Sequence, residues 1–213
     1  MYAHQSILSV LTLCCVVAFA PTAEGQTWSP HLSIGLSSAT YVGETDNEFG
    51  YRSTMAGGGG VTMNLTPVIG IRAEVLYIIR GAVAENAVID GEPTELEARF
   101  SVAYVDIPVL VVAQLPLASR VSPYVFGGGA YARNVDAQLT LISPSNDKIQ
   151  QDDSSIGMNE LSLVGGAGLS MSVATQELFV EARFAGGLSN VRPDREDAPF
   201  KNRSFLFVAG VRF

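Results

Sequence analysis

Hydrophobic and polar residues alternate along much of this chain, and the alternation is clearest in the last ten residues. There every second residue is apolar: Phe205, Phe207, Ala209, Val211 and Phe213. Ser204 and Arg212 fall between them, on the opposite face of an extended chain. A repeat of two residues predicts a β-strand. Because a terminal aromatic residue is favourable in lipid and unfavourable in water, we interpret this segment as the closing strand of a membrane β-barrel.

The same alternation predicts eight strands in all. They lie near residues 31–41, 52–65, 69–83, 98–114, 123–136, 158–173, 178–190 and 202–213. The pattern around Phe100, Val102 and Tyr104 is irregular, which predicts a β-bulge there. An even number of strands is what a closed barrel of this kind requires.

The connections between the predicted strands alternate between short and long. The short ones are residues 66–68, 116–122 and 174–177. The long ones are acidic and carry Glu44, Asp46, Glu48, Asp90, Glu92, Glu95, Glu97, Asp147, Asp152, Asp153, Asp194, Glu196 and Asp197. Short turns at one end and long loops at the other are typical of bacterial outer-membrane barrels with both termini in the periplasm. We therefore predict an all-β fold, an eight-stranded antiparallel up-and-down transmembrane β-barrel.

The third and seventh predicted strands carry charges on the face opposite their apolar one. Across an eight-stranded barrel these two strands face each other, and Arg72 falls at a similar depth to Glu181. The same holds for Glu74 and Arg183, and in both cases the signs are opposite. Paired charges that fill a narrow lumen explain this match. We expect a structural network in the lumen made of Arg72, Glu74, Arg80, Asp106, Arg133, Glu181 and Arg183.

Two alternatives to this orientation remain. A repeat of two residues does not by itself say which face is inside, and an apolar face that points inward would describe a soluble, lipocalin-like barrel. The charges could also be solvated on an outer surface. Opposite charges at equal depth favour a charged interior with lipid outside, since solvated charges do not need a partner of opposite sign at the same depth.

Aromatic residues are expected to form two girdles at the membrane interfaces. Those near the periplasmic strand ends are Trp28, Tyr124, Phe179 and Phe213. Those toward the loop ends are Tyr41, Tyr51, Tyr77, Phe184 and Phe205. This distribution also favours lipid outside the barrel.

The N-terminus is a predicted secretory signal. Residues 7–20 form an apolar run, shorter than the roughly 20 residues of a spanning helix but suited to the core of a signal peptide. Two sites have small residues at both key positions, and because Pro21 hinders cleavage after Ala20, we favour cleavage before Gln26. We therefore divide the chain into a cleaved signal peptide at 1–25 and an outer-membrane β-barrel domain at 26–213.

Composition narrows the function classes further. Beyond the signal, 13 basic residues stand against 20 acidic ones, which argues against nucleic acid as a partner. Cys14 and Cys15 lie within the signal, so no disulfide or thiolate metal site is expected. The chain is 47% hydrophobic and 16% charged, yet no mature segment is long enough for a spanning helix. Strands that cross a bilayer must close into a barrel to satisfy their backbone groups.

Several segments resemble a known family. Residues 104–110, Tyr-Val-Asp-Ile-Pro-Val-Leu, are similar to the Tyr-Leu-Glu-Ile-Pro-Leu-Leu strand of the PorT-like outer-membrane β-barrel domain, often labelled porin family. Further segments that match are 123–129, 165–168, 179–184 and 210–213. The resemblance implies an eight-stranded barrel in the outer membrane and no agreed activity. Asp106 stands where the family usually has glutamate, which keeps the charge and shortens its reach.

Catalysis is not expected. A lipid-modifying serine enzyme needs a nucleophile, a histidine base and an orienting carboxylate. His31 is the single histidine beyond the predicted signal, and Ser29 and Ser33 lie near it without a suitably spaced carboxylate. The acidic runs 152–153 and 194–197 match no calcium-loop spacing, so neither a metal nor a cofactor is predicted.

We expect a structural or interaction role, exercised through outward loops on a barrel with a packed lumen. One alternative is a narrow passive pore, although eight strands leave an interior only wide enough for side chains. The other is a soluble ligand-binding barrel of the periplasm. Expected partners are outer-membrane lipid and lipopolysaccharide, and the barrel-insertion machinery, which would bind the C-terminal strand ending in Phe213. The sequence does not identify an extracellular partner.

Overall fold

The computed structural model describes residues 27–43, 49–84, 88–89, 92–93, 96–115, 120–143, 145, 148–152, 157–191 and 201–213. The strands in chain order are β1 Thr27–Val42, β2 Phe49–Asn64, β3 Ile69–Ala84, β4 Val88–Ile89, β5 Glu92–Pro93, β6 Glu97–Gln114, β7 Val121–Ile142, β8 Lys148–Asp152, β9 Asn159–Val173, β10 Gln176–Gly187 and β11 Lys201–Arg212. Within these ranges, no helix is long and apolar enough to cross a membrane. The predicted signal peptide at 1–25 and most of the acidic loop residues named above lie outside the described residues.

Eight of the strands close into one antiparallel barrel. Hydrogen-bonded neighbours follow the order β6, β3, β2, β1, β11, β10, β9 and β7, and a further pairing of β6 with β7 closes the sheet. The first and last barrel strands are also paired, from His31 with Arg212 to Val42 with Lys201. Closure gives every barrel strand two partners, so no barrel strand is left with a free edge along its full length. The predicted eight-stranded antiparallel transmembrane barrel is confirmed.

The two ends of the barrel differ. We call the end with the short connections β2–β3, β6–β7 and β9–β10 the turn end, and the opposite end the loop end. In the β2–β3 turn, the Thr66 hydroxyl accepts hydrogen bonds from the backbone N–H groups of Val68 and Ile69 at 3.2 and 2.9 Å. In the two-residue β9–β10 turn, Ala174 adopts a left-handed φ of 54°. That conformation is strained for a residue with a Cβ.

Strand β7 is longer than predicted and rises past its neighbour at the loop end. Its pairing with β9 ends at Arg133 with Asn159, but β7 continues to Ile142. This extension pairs with β6 on one side and with β8 on the other. Strand β8, which the sequence pattern did not reveal, therefore forms the outer edge of a small sheet beyond the main barrel wall.

The predicted bulge near residues 100–104 is present, but its extra residue lies on the partner strand. Ala103 pairs with Asp136 whereas Tyr104 pairs with Asn134, which leaves Val135 of β7 without a partner in β6. In β6 the alternation is interrupted at the same point, where Val102, Ala103 and Tyr104 are all buried. A second irregularity interrupts the β2–β3 pairing between Tyr51 and Ala56.

Two glycines allow β2 to curve closely against β3. A Cβ at Gly58 would collide with the carbonyl oxygen of Val75, and a Cβ at Gly60 with that of Ala73. Both contacts are with backbone, which cannot move aside without opening the sheet. Gly57, one residue away, would meet only ordinary van der Waals neighbours. Gly58 and Gly60 are thus structural requirements of a small, tightly curved barrel.

The pleat separates the side chains by polarity. Arg72 and Glu74 of β3 are buried in the lumen, while their chain neighbours Ile71 and Ala73 face outward. The outer surface exposes many large apolar side chains, among them Leu32, Ile34, Leu36, Val109, Val111, Val125, Leu163, Val180 and Phe207. An apolar exterior around a charged interior is the arrangement that a barrel adopts in lipid.

The aromatic residues divide between the two surfaces. Those exposed on the outside are Tyr51, Tyr77, Phe184, Phe205 and Phe213, and Trp28 is half-buried. Tyr41, Tyr124 and Phe179 are instead buried inside the barrel, so their assignment to the outer girdles is wrong. The alternation along the strand explains the difference: Phe179 lies two residues before Glu181 and therefore faces the lumen as Glu181 does.

Candidate functional site: the charged lumen

Two arginine and two glutamate side chains form a closed ring in the lumen. Arg72 Nη1 lies 2.5 Å from Glu181 Oε1, and Arg183 Nη1 lies 2.5 Å from Glu74 Oε2. Arg183 also contacts Glu181 at 2.5 Å, and Arg72 lies 3.9 Å from Glu74. The charges alternate in sign around this ring, which we call the central network. Its four residues are at most 4% exposed.

Neighbouring groups make further contacts with the central network. His31 Nε2 lies 2.9 Å from Glu74 Oε1, and the Tyr124 hydroxyl donates to Glu181 Oε1 at 2.6 Å. The Arg72 guanidinium lies 5.6 Å from the ring centroid of Tyr124 and 5.7 Å from that of Phe126. Aromatic rings at these distances attract a desolvated cation. Each buried charge therefore has both an opposite charge and further polar or aromatic neighbours.

A second cluster lies nearer the loop end. Arg80 Nη2 is 2.6 Å from Asp106 Oδ2, and Arg80 Nη1 is 3.4 Å from Glu160 Oε1. Asn202 Nδ2 donates to Glu160 Oε2 at 2.5 Å, and the Arg80 guanidinium lies 5.3 Å from the centroid of the Tyr104 ring. We call this group the loop-side cluster. It places two carboxyl groups against one guanidinium, so its formal charges are not balanced as those of the central network are.

Apolar packing separates the two charged groups. Leu76, Ile78 and Leu206 are buried between them, and together with Arg80 and Arg183 they line a cavity of about 20 Å³. A cavity of this size holds about one water molecule. Along this part of the described lumen, charged pairs and apolar side chains fill the cross-section.

The structure brings six of the seven sequence-predicted lumen residues inside, and it corrects the seventh. Arg72, Glu74, Glu181 and Arg183 form the central network, and Arg80 and Asp106 belong to the loop-side cluster. Arg133 is exposed on the outer surface of β7, so its assignment to the lumen is wrong. Tyr124, Phe126, Ala130 and Ala132 occupy the buried face of β7, and Arg133 is on the other face. The expectation of an outward Tyr124 and the expectation of an inward Arg133 have one cause: the inward and outward faces of β7 are exchanged in both.

Three lumen residues were missed from the sequence as partners: His31, Glu160 and Asn202. Their strands, β1, β9 and β11, present mostly serine, glycine or apolar residues to the lumen, so no charge pattern drew attention to them. The sequence suggests for His31 only the role of a base in serine chemistry, whereas the structure joins it to Glu74. Among the described residues, no group of three His, Cys, Asp or Glu side chains could hold a metal ion.

A closed barrel with paired charges inside and apolar side chains outside defines the class of membrane-spanning β-barrels. A family model described as "Outer membrane protein beta-barrel domain" matches residues 23–192. The chain belongs to this family and is an integral protein of the outer membrane. That location leaves no place for the soluble periplasmic alternative.

Solved structures show similar barrels at low sequence identity. The attachment invasion locus protein Ail of Yersinia pestis, solved with the heparin analogue sucrose octasulfate, is 14% identical with a TM-score of 0.43, over 87% of this chain and 99% of that one. Neisserial surface protein A is 14% identical with a TM-score of 0.46, over 89% and 98%. OmpT of Escherichia coli, described as an outer membrane protease, is 11% identical with a TM-score of 0.47, over 87% and 96%. Among curated proteins, no sequence match was found.

Proposed function

We propose that this protein, as a PorT-like member of its family, is a closed outer-membrane barrel that acts through contacts at its loop end and not by conducting solutes. The central network carries this proposal, because it joins β3 to β10 across the lumen with contacts of 2.5 Å. Buried charges are costly to separate once they are paired. A lumen held in this way favours a rigid plug over the narrow passive pore.

Planar-bilayer recording tests the plug. The purified wild-type barrel should give no steady conductance at any applied voltage. A variant with Arg72→Ala and Arg183→Ala, which removes both guanidinium groups of the central network, provides the comparison, since it should leak if the network closes the lumen. Steady openings of the wild-type protein in the nanosiemens range would establish the pore instead.

The loop-end role rests on the sheet beyond the main barrel wall. Strand β8 pairs only with β7, so its other edge is free among the described strands, and Ile149 on it is 66% exposed. A free strand edge can accept an additional strand from a partner protein. We propose that this edge contributes to binding at the cell surface. The identity of the partner does not follow from these residues.

The proposed orientation places both termini and the turn end in the periplasm and the loop end outside the cell. The asymmetry of the connections supports it. Single cysteines introduced as Ile149→Cys at the loop end and Thr175→Cys at the turn end test it, because the chain beyond the predicted signal has no cysteine of its own. A membrane-impermeant maleimide should label only the first on intact cells, and both after lysis. Labelling of only the second would reverse the orientation.

We also propose that the protein is not an enzyme. Its support is the placement of His31, which is 2% exposed and hydrogen-bonded to Glu74 inside the barrel. A base in that position does not reach lipid at the outer surface.

The proposed contact with the barrel-insertion machinery rests on β11, whose apolar face is exposed at Phe205, Phe207 and Phe213.

A further inference from the structure

A groove on the outer surface of the barrel lies close to the turn end. Its volume is about 530 Å³. The floor is formed by Ala113, Ala167 and Ala182, which belong to one row of outward residues across β6, β9 and β10. The row is fixed by register: Ala113 pairs with Val125, Val125 with Ala167, and Ala167 with Ala182. Three alanines in one row make the wall thin at this point.

Larger side chains border these alanines. Val125 and Phe207 lie in the same row and are 57% and 62% exposed. Leu169 and Val180 form the next row toward the turn end, where they are paired with each other. All four project from the wall into the medium that surrounds the barrel. The result is a recess with an alanine floor and apolar sides.

The location of the groove determines what can fill it. It is continuous with the exposed apolar surface of an integral membrane barrel, where water is absent and hydrocarbon is the solvent. At the turn end beyond it lies Arg120, an exposed cation. The Arg120 carbonyl accepts a hydrogen bond from the Ser172 backbone N–H at 3.2 Å, which fixes this residue beside β9, one of the strands of the groove.

We propose that this groove binds one acyl chain of a glycerophospholipid, with the lipid phosphate at the turn end near Arg120. The choice of phospholipid over lipopolysaccharide rests on the proposed orientation, which places the turn end in the periplasmic leaflet. Small residues on the floor let the chain lie closer to the barrel than the surrounding annular lipid. Arg120 lies beyond the groove toward the turn end, and its positive charge is complementary to the phosphate.

Native mass spectrometry of the purified full-length mature barrel tests this site. The probe is phosphatidylglycerol of defined chain length, added in detergent, and the readout is the number of lipids retained per barrel. Ala167→Leu and Ala182→Leu each fill the floor with a larger apolar side chain. Ala73→Leu is the matched control, because Ala73 also faces outward but lies on β3, away from the groove. A heat-shift gel on each variant verifies that the barrel is folded.

We expect wild type and Ala73→Leu to retain one lipid and both floor variants to bind it about fivefold more weakly, which corresponds to a loss of ~1 kcal/mol. Arg120→Gln should weaken phosphatidylglycerol binding in the same direction. Equal retention by all folded variants would overturn the proposal. Retention of lipid A without retention of phosphatidylglycerol would also overturn the proposal. A dimer of the barrel that the floor variants abolish and Ala73→Leu does not would overturn it as well. Bilayer conductance tests the closed lumen and lipid retention tests the groove, so failure of one proposal is distinguishable from failure of the other.

Discussion

Replacing Glu181 with glutamine should strongly destabilise the barrel. Glu181 contacts Arg72 and Arg183, both at 2.5 Å, and accepts a hydrogen bond from Tyr124 at 2.6 Å. Glutamine has nearly the same shape but no charge, so two buried guanidinium groups would share the single carboxylate of Glu74. Loss of one partner from a buried ion pair costs about 3–5 kcal/mol.

The assay is urea-induced unfolding in phospholipid vesicles, read as the fraction of protein that migrates as the compact barrel in unboiled gels. Glu177→Gln is the matched control, on the same strand. Glu177 pairs with Arg212 at the turn end, where its side chain is 26% exposed, and a solvent-accessible pair of this kind contributes no more than about 1 kcal/mol. A double variant, Arg72→Gln with Glu181→Gln, should recover part of the lost stability because it restores equal numbers of both charges.

The reasoning is refuted if Glu181→Gln unfolds at the same urea concentration as Glu177→Gln. That result would mean that water reaches the central network and replaces the missing charge. An additive double variant would show that the two side chains do not interact.

Three further predictions use the same unfolding assay. Gly58→Ala should destabilise by more than about 1 kcal/mol, because its Cβ meets the β3 backbone, whereas Gly57→Ala should be nearly neutral; equal effects would contradict the close-approach argument. Ala174→Gly should stabilise by up to about 1 kcal/mol, since glycine removes the strain of a left-handed φ, and any destabilisation would count against it. Glu160→Gln should be neutral or stabilising because Arg80 keeps Asp106 as its partner, so a loss like that of Glu181→Gln would show that both carboxylates are needed.

The sequence predicts which residues of a strand face the lumen wherever charged residues are confined to one face of that strand. In β3 and β10, arginine and glutamate alternate with apolar residues, so inside and outside were distinguishable and the depth of each charge followed from the strand ends. In β7 the segment 127–130 is three glycines and an alanine, which gives no contrast between faces. Analogy with interfacial girdles predicts an outward Tyr124, and the alternation along β7 then predicts an inward Arg133. The structure shows the reverse for both residues.

The lumen aromatics show why that analogy failed. Girdle residues and lumen residues have the same side chains, and sequence position near a strand end does not distinguish them. Tyr124 and Phe179 lie inside, where the guanidinium groups of Arg72 and Arg212 lie over both rings. Such contacts between distant strands depend on the curvature of the closed barrel, which a repeat of two residues does not encode.

The equal number of positive and negative groups in the central network has an electrical consequence. A potential across the membrane does work of about 2.3 kcal/mol per 100 mV on each elementary charge that crosses it. Because two guanidinium groups and two carboxylates are held against one another at the same depth, the forces on them cancel. A voltage therefore exerts no net force on this ring, and the lumen should remain closed whichever side of the membrane is positive.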